Sequence, residues 1–337
     1  MILALITSLY ALSAIGTAYY LGAPKGEILT SSIFSSMICA QLLIFYGVTQ
    51  IGIAIYQAKT IHLLPLLKAI DARFSNHNQD NDLTNGIKAL GILCPLFIGF
   101  TIFKSLIPLI HPYSIDPILS QIDFHMHGNT YPHHYLPNNL WAVRIAEWVY
   151  YLWFLMVFIS NGFVIFFDKN TTRRTHYLWA SVLSWGIIGS LGATLFSSVG
   201  PVFYGDFYQT NNPYSDIQDT LSLATSHGEV LWPEAVQVLL DMTRNSVIAD
   251  LNGISAMPSM HIGISFLISL YALTVHRGIG IGCMIFSALI FLSSLILGFH
   301  YAIDGYMACI AVGVIWLMLS QIIKKTPHLP FLISSRE

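Results

Sequence analysis

Eight stretches of this chain are long and apolar enough to need lipid around them, and they leave it few ways to fold. They run roughly Ile2–Leu21, Ser32–Tyr56, Ala89–Ile110, Leu140–Phe167, Tyr177–Phe203, Met260–Val275, Ile279–Phe299 and Tyr301–Ile323. A helix needs about 20 predominantly apolar residues to cross a bilayer core. Only 32 of the 337 residues are charged, 9% against the ~25% of an ordinary soluble domain. Hydrophobic residues make up 55% and mean hydropathy is +0.64. Too little charge is present to coat a soluble surface, which excludes a soluble globular enzyme, a disordered chain and a nucleic-acid binder. The net charge of −2 offers no attraction to a polyanion. The expectation is an all-α, polytopic membrane bundle of about eight spans. The first run lacks a basic leader and reads as a true span rather than a cleaved signal peptide. Cys39, Cys94, Cys283 and Cys309 all fall inside apolar runs without a CxxC spacing, and read as small buried hydrophobes.

The basic residues orient the spans. With the N-terminus inside, Lys59, Lys68, Arg73, Lys88, Lys169, Arg173, Arg174, Arg277, Lys324, Lys325 and Arg336 face the cytoplasm, while Lys25 and Arg244 face outward. An 11:2 bias obeys the positive-inside rule, and the pair Arg173-Arg174 reads as a topology determinant. The expected organisation is two leading spans with a cytoplasmic loop (residues 1–87), a six-helix catalytic membrane domain (88–325) and a cytoplasmic tail (326–337). The second connection, Gln57–Lys88, contains the polar stretch Asn76–Asn85 and reads as a mobile loop. The fifth, Tyr204–Ser259, is the longest outer segment, and its Glu229–Met242 stretch reads as an interfacial helix.

Ionisable groups inside spans are expensive and mark function. Here they share a side: Lys104, Arg144, Glu147, His261, His300 and Asp304 all fall near the outer leaflet. His300 and Asp304 are four apart, which on a helix puts them on one face. Such a pair either stabilises the helix or lets the carboxylate hold one ring proton, leaving the other nitrogen as a nucleophile. A second piece, Ala256-Met257-Pro258-Ser259-Met260-His261, reads as a helix start. Its free N–H groups and dipole suit a phosphate, Ser259 adds a hydroxyl, and His261 projects from the first turn as a proton donor. It can equally be plain helix initiation with an interfacial histidine.

Together these two pieces resemble the type 2 phosphatidic acid phosphatase superfamily. Its second motif, Pro-Ser-x-His, is matched by Pro258-Ser259-Met260-His261, and the His-x3-Asp end of its third by His300 through Asp304. The two histidines stand 39 residues apart, room for one helix hairpin. The resemblance is strongest to the inositol phosphorylceramide synthase branch, which reads His-Tyr-x2-Asp, as His300-Tyr301 and Asp304 do here. That branch also carries a Gly/Pro-rich stretch like Gly200-Pro201 and a segment like Asp116–Asp123 followed by Gly128. The resemblance covers roughly Lys88–Lys325.

It implies a six-helix core and a lipid phosphotransferase or phosphatase. His300 would be the nucleophile, His261 the general acid and base, and Asp304 the orienting group. Pro258, Ser259, Tyr301 and Gly200 would lie at the substrate. The first motif, Lys-x6-Arg-Pro, is absent, and Ser294 stands where the third motif has arginine. Arg244, Arg144 and Lys104 are the candidate phosphate ligands in their place. The alternatives are a loop or headgroup contact for Arg244, an ion pair with Glu147 for Arg144, and snorkelling for Lys104.

The implied partners are the bilayer, a phospholipid or lipid-phosphate substrate and an alcohol or second-lipid acceptor, with no nucleic acid and no cofactor. The implied location is an inner membrane or endomembrane, with both termini cytoplasmic and the active site outward. His125, His127, His133 and His134 share one outer connection and read as an interfacial His-rich loop rather than a metal site. A transporter would place its polar groups near mid-membrane instead of at one face.

Overall fold

The computed structural model describes residues 2–59, 67–68, 77–208, 211–228 and 254–325. Among these residues every regular element is helical. They are α1 (Ile2–Tyr20), α2 (Lys25–Ala58), α3 (His77–Ile110), α4 (Asp116–Met126), α5 (Leu140–Phe166), α6 (Thr171–Leu195), α7 (Ser215–Ser226), α8 (Met260–Val275), α9 (Arg277–Ile296) and α10 (Ala302–Lys325). Single turns at Pro132–Tyr135, Pro201–Phe203 and Tyr204–Phe207 link them. Seven of the described helices (α1, α2, α3, α5, α6, α9 and α10) are long and apolar enough to cross a membrane. The expected sixth span forms α8, whose 16 residues reach only ~24 Å. The chain is a multi-pass membrane protein. Its outward faces carry Leu5, Leu12, Phe34, Ile44, Leu155 and Leu317, all more than half exposed, a surface that suits lipid and not water.

The packed interior joins α1, α2, α3 and α5 through α10. Leu93 and Leu96 of α3, Tyr150 and Trp153 of α5, Trp185 of α6, Leu267 of α8, Ile290 of α9 and Val312 of α10 belong to one buried cluster, as do Leu3 of α1 and Tyr46 of α2. Polar side chains set the helix starts. Asn139 caps α5 by accepting from the Ala142 amide, and Asn170 caps α6 by accepting from that of Arg173. The middle of α6, Ser184–Gly192, widens into π-type turns. There a Cβ on Gly192 would lie 3.3 Å from the Pro258 ring, so the wide turn lets α6 approach the start of α8.

Two expectations need correction. The stretch from His77 to Asn85, read as loop, forms the first turns of α3. The fifth span ends at Leu195 rather than Phe203, because Gly200 adopts φ +85° and Pro201 follows it. The expected interfacial helix at Glu229–Met242, Arg244 and the tail at 326–337 lie outside the described residues.

At the basic end of the bundle, Arg173 donates to both oxygens of Asp168, at 2.6 and 2.8 Å, and the Tyr271 hydroxyl donates to the same carboxylate at 2.6 Å. Burial works to raise the Asp168 pKa, but these donors outweigh it and hold the carboxyl below its ordinary range. Arg173 thus closes the α5–α6 turn.

Candidate active site

At the opposite end, α8 and α10 start side by side. Ser259 caps α8, its Oγ accepting from the Ile262 amide, while its own N–H donates to the Asp304 carbonyl at 3.2 Å. Pro258 and Ser259 are buried behind this contact. His261, on the first turn of α8, lies half-buried between two rings of α5: Tyr150, stacked at 4.4 Å, and Trp153 at 4.3 Å. The Trp153 indole N–H donates to the His261 carbonyl at 2.9 Å and fixes the two helices in register.

His300 sits in the turn between α9 and α10, buried, its ring centroid 6.2 Å from that of His261. Its Nδ1 is 2.7 Å from the Ala256 carbonyl oxygen. A carbonyl can only accept, so the proton resides on Nδ1 and Nε2 carries the lone pair. Nε2 lies 3.4 Å from the Tyr150 hydroxyl. The sequence assigned this orienting role to Asp304 on helical spacing. However, α10 begins at Ala302, so His300 precedes the helix. Asp304 Oδ2 is 3.5 Å from Nδ1 and accepts instead from the Tyr301 N–H at 2.9 Å. The Ala256 carbonyl is the shorter partner, and Asp304 supplies a buried negative charge beside it.

Two aspartates hold the His300 turn in place. Asp123 of α4 accepts from the Ala302 and Ile303 amides at 2.6 and 2.9 Å, capping α10 from outside. Asp116 accepts from the Val199 and Gly200 amides and from the hydroxyls of Tyr208 and Tyr301, all at 2.9–3.1 Å. Burial pushes both carboxyls above the ordinary range, and their hydrogen bonds pull the other way. Gly200 fits here because a Cβ on it would fall 2.7 Å from the Phe299 carbonyl oxygen. Tyr301, expected at the substrate, is buried with its hydroxyl committed to Asp116. The sequence reading passed over Tyr150, Asp116 and Asp123 as site residues. Asp116 meets partners 83 to 185 positions away, which no local pattern discloses.

Of the expected cations, Lys104 is half-buried on α3, within electrostatic range of His261. Arg144 is exposed, its guanidinium 5.9 Å above the Trp141 ring. Lys104 carries a signal that a search for arginine misses: Lys104-x6-His111-Pro112 keeps the spacing of the family's first motif with histidine in place of arginine. The His111 Nδ1 is buried without a hydrogen-bond partner.

The His-rich connection divides. His127 pairs with the Asp123 carbonyl and the Tyr306 hydroxyl, and His125 with Asn129. His133 and His134 instead converge on Asp216 at the start of α7, the only described group of three whose donor atoms fall within 4.8 Å of one another. Burial pushes His133 down to about 4.

A family model described as PAP2 superfamily matches residues 118–320, more than half of the chain, including both histidines and Asp304. No curated protein and no solved structure matches the chain.

Proposed function

The chain belongs to the PAP2 superfamily, whose members are phosphatases and phosphotransferases, and on that premise we propose that it is a lipid phosphotransferase or phosphatase that works through a phosphohistidine. One observation carries the reading. Two histidines face each other at 6.2 Å, and the Ala256 carbonyl leaves the His300 Nε2 lone pair available. In the first half-reaction Nε2 attacks phosphorus, the ester P–O bond breaks, and protonated His261 gives its proton to the leaving oxygen. The Ala256 carbonyl and the Asp304 charge stabilise the substituted, cationic ring. In the second, the oxygen of water or an alcohol attacks phosphorus, His261 takes its proton, and the N–P bond breaks. Lys104 and the start of α8 offset the phosphoryl charge. Tyr150 gives up its contact with Nε2 as substrate enters.

Lipid is favoured as substrate by a 560 Å³ apolar groove lined by Leu152, Leu155 and Phe163 of α5, Ile268 of α8 and Phe286 of α9. It runs along α5, α8 and α9 and suits an acyl chain. Residues 88–325 are the catalytic unit in this reading, and the positive-inside bias turns the site outward, to periplasm or lumen. The His-Tyr-x2-Asp pattern favours the inositol phosphorylceramide synthase-like role, with an alcohol acceptor, over hydrolysis alone.

The test is to incubate the purified protein with a labelled phospholipid, with and without alcohol acceptors, and to trap the enzyme in base. Wild type should yield an acid-labile phosphoenzyme and acceptor-dependent product. His300→Ala should yield neither, and His261→Ala should lose ~10²–10⁴-fold in rate. Label released only to water, whatever acceptor is present, would leave the phosphatase alone. A phosphoenzyme that persists in His300→Ala would remove the assigned nucleophile.

A further inference from the structure

Outside the catalytic pocket, one cluster of ligand-type side chains has no part in the chemistry above. The turn Pro132–Tyr135 carries His133 and His134, and both rings point their Nε2 atoms at one carboxylate, Asp216, more than 80 residues later in the chain. His133 Nε2 is 3.2 Å from Asp216 Oδ1, and His134 Nε2 is 3.8 Å from Oδ2. The His133 contact is an ion pair when the ring is protonated, but no hydrogen bond of good geometry joins the two groups. His133 Nε2 is therefore a buried polar atom without a hydrogen-bond partner, on a residue only 7% exposed. Burying such an atom is costly unless something else fills its lone pair.

We propose that His133, His134 and Asp216 bind one zinc ion that staples the Pro132–Tyr135 turn to the start of α7. Two imidazole nitrogens and one carboxylate form a donor set that suits zinc, with water in the fourth position. Zinc–ligand bonds of about 2.0–2.1 Å set tetrahedral donor separations near ~3.3 Å. The His133–Asp216 distance already has that value, and the His134 pair needs to close by about half an ångström from 3.8 Å. Half-exposed His134 and Asp216 make the closing motion cheap and leave an entry path. Asn138 donates to Asp216 through its Nδ2, to the backbone oxygen at 3.2 Å and to Oδ2 at 3.4 Å, and orients the carboxylate.

The staple has a structural target. Beside Asp216, Tyr214 and Ile217 pack in a buried cluster with Met257 and Tyr301, next in sequence to Pro258 and His300. The ion would thus brace one wall of the pocket, without touching substrate, by linking the connection before α5 to the α7 segment.

The experiment uses the full chain in detergent, freed of metal with a chelator, and titrates it with zinc by calorimetry and with cobalt by visible absorption. The expected result is one ion per chain, the intense visible bands of tetrahedral cobalt, and a thermal midpoint that rises with zinc. Asp216→Asn, a change at a half-exposed position, and His134→Ala should each weaken binding by at least ~10-fold. His300→Ala should bind as wild type does, which separates this site from the catalytic histidines. No saturable binding at micromolar zinc would overturn the proposal. So would affinity unchanged in Asp216→Asn, or binding lost in His300→Ala.

Discussion

At the scale of single residues, the proposed chemistry turns on which atom holds the His300 proton. The Ala256 carbonyl, 2.7 Å from Nδ1, sets the tautomer, and Asp304, at 3.5 Å, contributes charge. A charge-assisted contact of this kind contributes about 1.5–3 kcal/mol. Asp304→Asn should therefore lower kcat by ~10–100-fold, far less than His300→Ala, with the pH of the rate maximum little changed. Steady-state kinetics on both variants check this. If Asp304 alone set the tautomer, its loss would match that of the nucleophile. In the proposed reaction Lys104 meets the phosphate, so Lys104→Met should reduce kcat/KM by ~10–100-fold, while Arg144→Met should leave it within about threefold. His261, Pro258 and Ser259 were legible because they form one local pattern. Tyr150 was not, since a tyrosine on a span looks like core until α8 is seen packed against it.

At the scale of elements, the helix ends do the positioning. Asp123 caps α10 from another helix, and its two short bonds fix the residues that follow His300. Asp123→Ala leaves two buried amides unpaired. It should lower stability by about 1–3 kcal/mol, seen as a reduced thermal midpoint in detergent together with a fall in kcat. The other end of the bundle gives a pH dependence. Because the Asp168 carboxyl is held below its ordinary value of 3.8 by Arg173 and Tyr271 against the opposing effect of burial, its contribution is fully present above that value. It is lost as pH falls through the lower, folded value. The midpoint difference between wild type and Asp168→Asn should be constant above about pH 5 and shrink under more acid conditions. A difference that grew with acidity would contradict the assignment.

At the scale of the whole molecule, the arrangement in the membrane is testable by labelling. Asn129→Cys, on an exposed turn near the catalytic end, should react with an impermeant thiol reagent applied from outside. Lys169→Cys, exposed at the opposite end, should react only after permeabilisation. The reverse pattern would invert the proposed topology. That the chain is an all-helical membrane bundle, roughly where its spans lie, and where the His–His–Asp set falls along the chain were all readable from the sequence. Span length, the run of apolar residues and short motifs are local properties, and lipid enforces them residue by residue. Local pattern failed where segments far apart in the chain meet. The carbonyl that sets the His300 tautomer lies 44 residues before it, the caps on its turn come from α4, and Asp216 reaches His133 and His134 from α7. Only the packed bundle decides such pairings, because a carbonyl, a carboxylate or an imidazole has no partner written into its neighbours. The partner is whichever complementary group the fold brings within about 3 Å.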